Sequence, residues 1–450
     1  MTSEYKRIGI IVLGHDDYNT GKDEISIKNI DKCIAFLKDK DFEVVKYDKV
    51  IKSREEALKA SLDFIAKDLS GLIVYASSFG VANPALVVLQ ELKHIPCCLY
   101  GISGNTNDTM TASAQLILLI KGIIQKMDYS YKLVIGNAFG INNYNDVAIF
   151  ANSCSTLKKL SRSRIGIIGN GYSFDMLAEG LDILKTRKMF GTEFIHFDTY
   201  DLIKVSKEFN DTEYISVLEK LNKVYNSNYK LEDKYIRDIC GFYLGLKKIK
   251  TDNSLDAINV KCYPELGKSY RCVPCISMSM LTSFDDTTLA CEGALSVTLT
   301  MLIFKYLSKT NSIYGDIVEN LNIEKNSFGL NICGYVPYDL YEKEKGLRIS
   351  EFNHPEAEGL INSCVLKKGK LVFGRLQEDS QGFNFIYGSG EGINTEPLWG
   401  FIPAVNIKID GSIEKLFENL IGHHIALVWH DVAAEIEEFC RILRIKKILI

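Results

Sequence analysis

The sequence has no long hydrophobic run. Its apolar N-terminal stretch, Ile8 to Leu13, gives way at once to His15-Asp16-Asp17. That is too short for a secretory core and lacks a small-residue cleavage site. No other apolar segment approaches the roughly 20 residues of a membrane span. We therefore expect no membrane partner and a cytoplasmic location. Neither charge is in large excess: the formal net charge is −4, and basic clusters such as Lys158-Lys159 and Lys446-Lys447 are short. No nucleic-acid footprint is expected from such a balance. Among the 12 cysteines, Cys272-x-x-Cys275 is the one Cys-x-x-Cys. A zinc site would need a second pair at suitable spacing, and in a cytoplasmic chain the cysteines are expected to remain thiols. Histidine is scarce, with seven in the chain, yet His423, His424 and His430 lie close together.

What is present is an ordinary globular composition, 46% hydrophobic and 24% charged, in a chain long enough for two to four domains. Residues 1–157 alternate apolar runs with helical patterns. Candidate strands are Ile8–Leu13, Glu43–Tyr47, Gly71–Tyr75, Pro96–Tyr100 and Lys132–Ile135. This order implies a parallel sheet covered by helices on both faces. Arg164-Ile165-Gly166-Ile167-Ile168-Gly169 resembles Arg7-Ile8-Gly9-Ile10-Ile11-Val12 and opens a second such unit, residues 158–310. From 311 to 450 the texture turns to strands: Asn326–Cys333, Gly359–Leu366, Lys370–Leu376, Asn384–Tyr387 and Ala404–Ile409. Lys367-Lys368-Gly369 reads as a hairpin turn between two of them. The expected fold class is α/β: two tandem doubly wound parallel-sheet domains followed by a β-rich, barrel-like C-terminal domain.

The chemistry gathers around Thr288–Asp316. Thr288 to Cys291 suits a short buried strand, and the apolar run to about Ser308 suits a buried helix. Glu292 then sits at the carboxyl end of a strand, where open α/β sheets collect ligands. Asp316 follows the helix in a loop with Gly315. Two converging carboxylates serve a divalent cation or proton transfer. Alternatively, Glu292 caps the helix and Asp316 is a turn residue. The His423-His424 pair is either a metal-ligand source or structural. Gly169-Asn170-Gly171-Tyr172-Ser173-Phe174, with Asp198 after the next strand, partly matches a dinucleotide fingerprint but lacks its third glycine. A nicotinamide-dependent oxidoreductase therefore stays open, beside a tight strand-to-helix turn that needs the glycines.

Several segments together resemble the L-fucose/L-arabinose isomerase superfamily, more closely its fucose isomerase-like branch. They are Cys291-Glu292-Gly293, the later Asp316, and Gly422-His423-His424 with His430-Asp431. Lys261-Cys262-Tyr263-Pro264-Glu265-Leu266 resembles that branch's Lys-Cys-Trp-Pro-Glu-Leu, and Ile332-Cys333-Gly334 its His-Cys-Gly. The resemblance covers most of the chain. It implies a metal-dependent aldose–ketose isomerase acting on a deoxyhexose or pentose through an enediolate. It further implies a Mn²⁺ ion held by Glu292, Asp316 and His424, with Glu292 and Asp316 exchanging protons. The assembly implied is a homo-oligomer, a trimer or hexamer with the site near a subunit interface. The sugar is expected to be met by His423 and by loop residues of the α/β domains, His15, Asp16 and Tyr18, contributed by a neighbouring subunit. Ala294 stands where the family usually has Asp, and Ile332 where the arabinose branch has a fourth ligand, which excludes an arabinose isomerase of that pattern. A non-catalytic or altered-substrate sugar-binding homologue is the alternative.

Overall fold

The computed structural model describes residues 5–15, 23–106, 109–110, 112–138, 143–354, 357–393 and 395–450. These fall into two compact units. The first is formed by the chain up to Lys159 together with Ala434–Arg444. It holds β1 (Arg7–Leu13), α1 (Asp23–Asp39), β2 (Glu43–Ile51), α2 (Arg54–Ile65), β3 (Gly71–Ala76), α3 (Asn83–Glu91) and β4 (Cys97–Ser103). A minimal ladder of β5 (Asn105–Thr106) and β6 (Thr109–Met110) leads to α4 (Ser113–Lys126), β7 (Tyr131–Asn137) and α5 (Tyr144–Leu160). The sheet is parallel in the order β2-β1-β3-β4-β7.

Alternation along β1 shows why helices cover both faces. Ile8, Ile10 and Val12 pack with Ile30 and Cys33 of α1 and Val147 and Phe150 of α5. Ile11 and Leu13 pack with Phe64 of α2, Val88 of α3 and Ile120 of α4. Successive residues of a strand point to opposite faces, and both faces here are apolar. The chain's late helix belongs to this unit as well. The Ser130 hydroxyl donates to the Arg441 carbonyl at 3.3 Å and the Ser153 hydroxyl to the Glu435 carbonyl at 3.1 Å.

The second unit begins with β8 (Arg164–Ile168), two short 3₁₀ turns (Ser173–Asp175 and Leu177–Glu179), α6 (Ile183–Phe190), β9 (Glu193–Phe197), α7 (Thr199–Val205), α8 (Asp211–Tyr225) and α9 (Lys234–Asn253). It continues through β10 (Ala257–Val260), α10 (Cys275–Asp285), β11 (Thr288–Cys291) and α11 (Leu295–Ser308). These strands make a four-stranded parallel sheet, β11-β10-β8-β9. Then come β12 (Ile313–Asn322), β13 (Ser327–Asn331), β14 (Arg348–His354), β15 (Ala357–Ser363), β16 (Gly369–Asp379), β17 (Gly382–Ile393), β18 (Ala404–Ile409), α12 (Ile413–Asn419) and β19 (His424–Val428). After α13 (Ala433–Leu443) the last strand, β20 (Lys446–Leu449), pairs with β17. Strands β16-β19-β12-β13-β18-β17 form an antiparallel ring, which the β16–β17 pairing closes. The parallel sheets and the barrel expected from the sequence are both present.

Two local expectations need correction. Asp316 lies inside β12, not in a loop, because Tyr314 to Asp316 pair with Ala426 to His424 of β19. Lys367-Lys368-Gly369 is not a hairpin turn. β15 pairs with β14, and the chain then leaves that ladder, the Lys367 amide donating to the Leu340 carbonyl at 2.8 Å.

Helix α11 is buried on every side. It contacts β10 and β11 on one side and β16 and β19 on the other, which explains an apolar composition all round. Its few polar groups are rungs: the Ser296 hydroxyl donates to the Leu376 carbonyl at 2.5 Å, and the Leu376 amide donates to the Thr300 hydroxyl at 2.9 Å. No helix among the described residues is long and apolar enough to cross a membrane. Phe439 of α13 is fully buried, so Phe439→Ala should cost about 3–5 kcal/mol of stability in chemical denaturation. A loss below about 1 kcal/mol would contradict a packed α13.

Candidate active site

The site is built where the parallel sheet's carboxyl edge meets the barrel rim. β11 ends at Cys291, and Glu292 turns the chain at φ +67°, a left-handed conformation. For a residue with a side chain this costs of order 1–3 kcal/mol. The turn is pinned from outside: the Ser173 amide donates to the Glu292 carbonyl at 2.9 Å. Gly293 follows at φ +80°, and a Cβ there would stand 2.4 Å from the Gly171 carbonyl oxygen. The Gly169–Phe174 segment thus packs its backbone against the Glu292 turn. Asp198 caps α7 in a reciprocal arrangement with Asp201. Helix α11 has no side-chain cap, so Glu292 is not serving as one.

Asp316 and His424 reach the site through strand register. They are direct partners across β12 and β19, and directly opposed side chains lie on one face. His424 Nε2 lies 2.8 Å from Asp316 Oδ1 and 3.1 Å from Glu292 Oε2. Neither contact has hydrogen-bond alignment, so the buried nitrogen faces both carboxylates without being satisfied by either. Tyr314, two residues before Asp316 and so on the same face, meets the His424 ring edge-on at 5.1 Å. Its hydroxyl accepts from the Cys291 amide at 3.1 Å, tying β11 to the barrel.

Behind the imidazole stands Glu179. Its Oε2 is 3.1 Å from His424 Nδ1 and 2.9 Å from Arg375 Nη1, and its Oε1 accepts the His423 amide at 3.1 Å. Glu179, Arg375 and His424 have essentially no exposed surface. Arg375 also donates to the Ser296 hydroxyl at 2.7 Å, the His424 carbonyl at 3.1 Å and the Ala178 carbonyl at 2.8 Å. Gly422 has φ +83°, and a Cβ there would come within 2.2 Å of Glu179 Oε1.

Burial opposes every charge in this cluster, and the partners outweigh it. Burial alone would raise Glu179, but His424, Arg375 and the His423 amide bring it down to about 2. Asp316 is likewise held well below the usual carboxylate range by His423 and His424. Burial lowers His424, yet Asp316, Glu179 and Glu292 raise it well above its ordinary value.

Of the residues singled out in the sequence, the structure brings Glu292, Asp316, His424 and His423 together. His423 is half-exposed, its Nε2 3.3 Å from Asp316 Oδ1. His15 lies in the first unit, after β1 and beside Gly80. Asp16 and Tyr18 lie outside the described residues. Cys272 and Cys275 are buried thiols, and among the described residues neither cluster of candidate cation ligands contains a cysteine. Ala294 and Ile332 are both buried. Sequence reasoning missed Glu179 and Arg375. Glu179 sits in an irregular stretch without periodicity. Arg375 left a signal: a charge inside the apolar strand Leu371–Leu376 requires a buried partner.

A cavity of about 370 Å³ opens over Glu292 and Asp316. Phe174, Tyr263, Phe352 and Trp399 form an apolar wall, and Phe174 stacks on Tyr263 with ring centroids 4.1 Å apart. Cys333 also lines it, its thiol donating to Glu292 Oε1 at 3.7 Å.

A divalent cation fits the donor set. Arg375 is paired with Glu179, leaving the carboxylates of Glu292 and Asp316 and the His424 imidazole as the donors grouped beside the cavity. Ligand atoms of Glu292, Asp316 and His424 all lie within 4.8 Å of one another, and hard carboxylate oxygens with one imidazole suit an ion such as Mn²⁺.

The chain is 23% identical over 430 residues to a sulfoquinovose isomerase of Priestia aryabhattai, covering 92% of this chain and 93% of that protein. It is also 23% identical to a sulfoquinovose isomerase of Alkalicoccus urumqiensis, over 72% of this chain and 73% of that one. No family model matches. A periplasmic sugar-binding protein from Legionella pneumophila overlaps 68% of this chain and 97% of its own at 12% identity, with a TM-score of 0.18, too low to carry an argument. The likeness to isomerases over most of the chain supports an isomerase enzyme of carbohydrate metabolism.

Gly293→Ala tests the turn. It should lower stability by about 1–3 kcal/mol and shift Glu292; an unchanged melting temperature would contradict the close approach to Gly171.

Proposed function

We propose that the protein is a metal-dependent aldose–ketose isomerase of the fucose isomerase-like kind, acting on a monosaccharide. The observation that carries this reading is the meeting of Glu292, Asp316 and the His424 imidazole, the two acids also lining one cavity. Those three residues would hold the ion, with Mn²⁺ the expected metal. A bound divalent cation supplies Lewis-acid polarisation of the sugar oxygens it touches.

Moving a carbonyl between adjacent carbons requires one carbon to lose a proton and its neighbour to gain one, through an enediolate. Glu292 and Asp316 flank the space where those carbons would lie and act as base and acid in turn. His424 anchors the ion and takes no part in proton exchange. The half-exposed His423, beside Asp316, would hydrogen-bond a sugar hydroxyl. The aromatic wall offers the C–H face of a sugar ring an apolar surface. A cavity of about 370 Å³ falls within the ordinary range of small-molecule sites.

The substrate class we favour is a deoxyhexose or a pentose. Sulfoquinovose, named for the relatives, joins the candidates. With Mn²⁺ supplied, at least one aldose from a panel of deoxyhexoses, pentoses and sulfoquinovose should be converted to its ketose. No conversion across the panel would favour a sugar-binding homologue without turnover. Glu292→Gln should abolish turnover with the fold intact, since it removes a proton acceptor and a charged ligand; normal activity would rule out that role. His424→Ala should weaken Mn²⁺ binding first, and unchanged binding in calorimetry would exclude it as a ligand. We infer a trimer or hexamer in solution; a monomer by light scattering would contradict that part of the reading.

A further inference from the structure

Two clusters with cation-ligand spacing share His424, one on each ring nitrogen. Glu292 and Asp316 face Nε2, while Glu179 faces Nδ1 and also meets His423. The clusters differ in one respect. Glu179 already has a fixed cation, the Arg375 guanidinium 2.9 Å away. That guanidinium is locked by the Ser296 hydroxyl and by the carbonyls of His424 and Ala178. Nothing comparable stands beside Glu292 or Asp316 among the described residues.

We propose that the buried Glu179–Arg375 pair is a positioning device for the metal-binding imidazole, and that Arg375 occupies the charge role a second cation would otherwise take. The proposal rests on the metal-dependent reading above. Glu179 Oε2 stands 3.1 Å from His424 Nδ1, a charge contact with no hydrogen-bond alignment, and in this ring orientation Nε2 faces Glu292 and Asp316. A carboxylate behind a ligating histidine fixes ring orientation and raises ligand basicity. Arg375 neutralises that carboxylate, so the Glu179–His423–His424 cluster does not compete for divalent ions. It also grips the His424 carbonyl, so one guanidinium fixes both the backbone and the orienting carboxylate of the same histidine. The centre is thereby limited to one ion per chain.

The test is Mn²⁺ binding, by calorimetry and by metal content after dialysis, on the full-length wild type, Glu179→Gln, Arg375→Lys and Arg375→Gln. Wild type should bind one ion per chain. Glu179→Gln should still bind one, about 10- to 100-fold more weakly, with its melting temperature recorded to separate positioning from loss of fold. Arg375→Lys, which keeps the charge, should stay at one ion. Arg375→Gln, which leaves Glu179 uncompensated, should take up a second. Wild-type affinity in Glu179→Gln would overturn the positioning role, and a single ion in folded Arg375→Gln would overturn the exclusion role. Should Arg375→Gln fail to fold, two ions in Arg375→Lys would overturn the charge argument and one would support it. A wild type that binds no ion overturns the metal-dependent reading itself, a result distinct from either failure.

Discussion

One buried imidazole, His424, is shared among three carboxylates, and the rest of the second unit is arranged around that contact. Isolated charges are expensive to bury, and removing one partner of a buried pair costs about 3–5 kcal/mol. The cluster is tolerable because its charges are matched in place: Arg375 against Glu179, and Asp316 against His424 and His423. Glu292 and Asp316 are the carboxylates of this cluster that also line the cavity. Such a donor set would suit a divalent cation.

The geometry depends on elements far apart in the chain. Register between β12 and β19 sets Asp316 beside His424. Helix α11, buried between the parallel sheet and the barrel, holds the tip of β11 at the barrel rim. The left-handed Glu292 turn then aims its carboxylate at the same imidazole, with Ser173 and Gly171 closing over its backbone. Strain at Glu292 persists because these neighbours over-determine it.

Much of this was legible in the sequence, for physical reasons. Both parallel sheets declare themselves through apolar runs such as Ile8–Leu13 and Arg164–Ile168, since strands covered on both faces carry little polarity. Glu292 was readable because it interrupts a strand–helix junction. Asp316 was found, but not its strand: Gly315 and Asp316 look like a turn until β19 supplies a partner that is distant in sequence. The hairpin assigned to Lys367–Gly369 failed for the same reason, as pairing depends on Leu340 and β14 rather than on local turn chemistry. Glu179 was illegible, because a carboxylate in an irregular stretch has no period to read. The fingerprint-like glycines had a real cause in the backbone turn after β8, where Gly169 and Gly171 have φ of +90° and +73°, a conformation that favours glycine.

The most direct measurement is anomalous diffraction at the manganese edge from crystals soaked in Mn²⁺. The account predicts one peak per chain, directly coordinated by Glu292, Asp316 and His424 Nε2, with Arg375 still on Glu179. A peak elsewhere, or no peak with the His424 imidazole turned away from both acids, would contradict it.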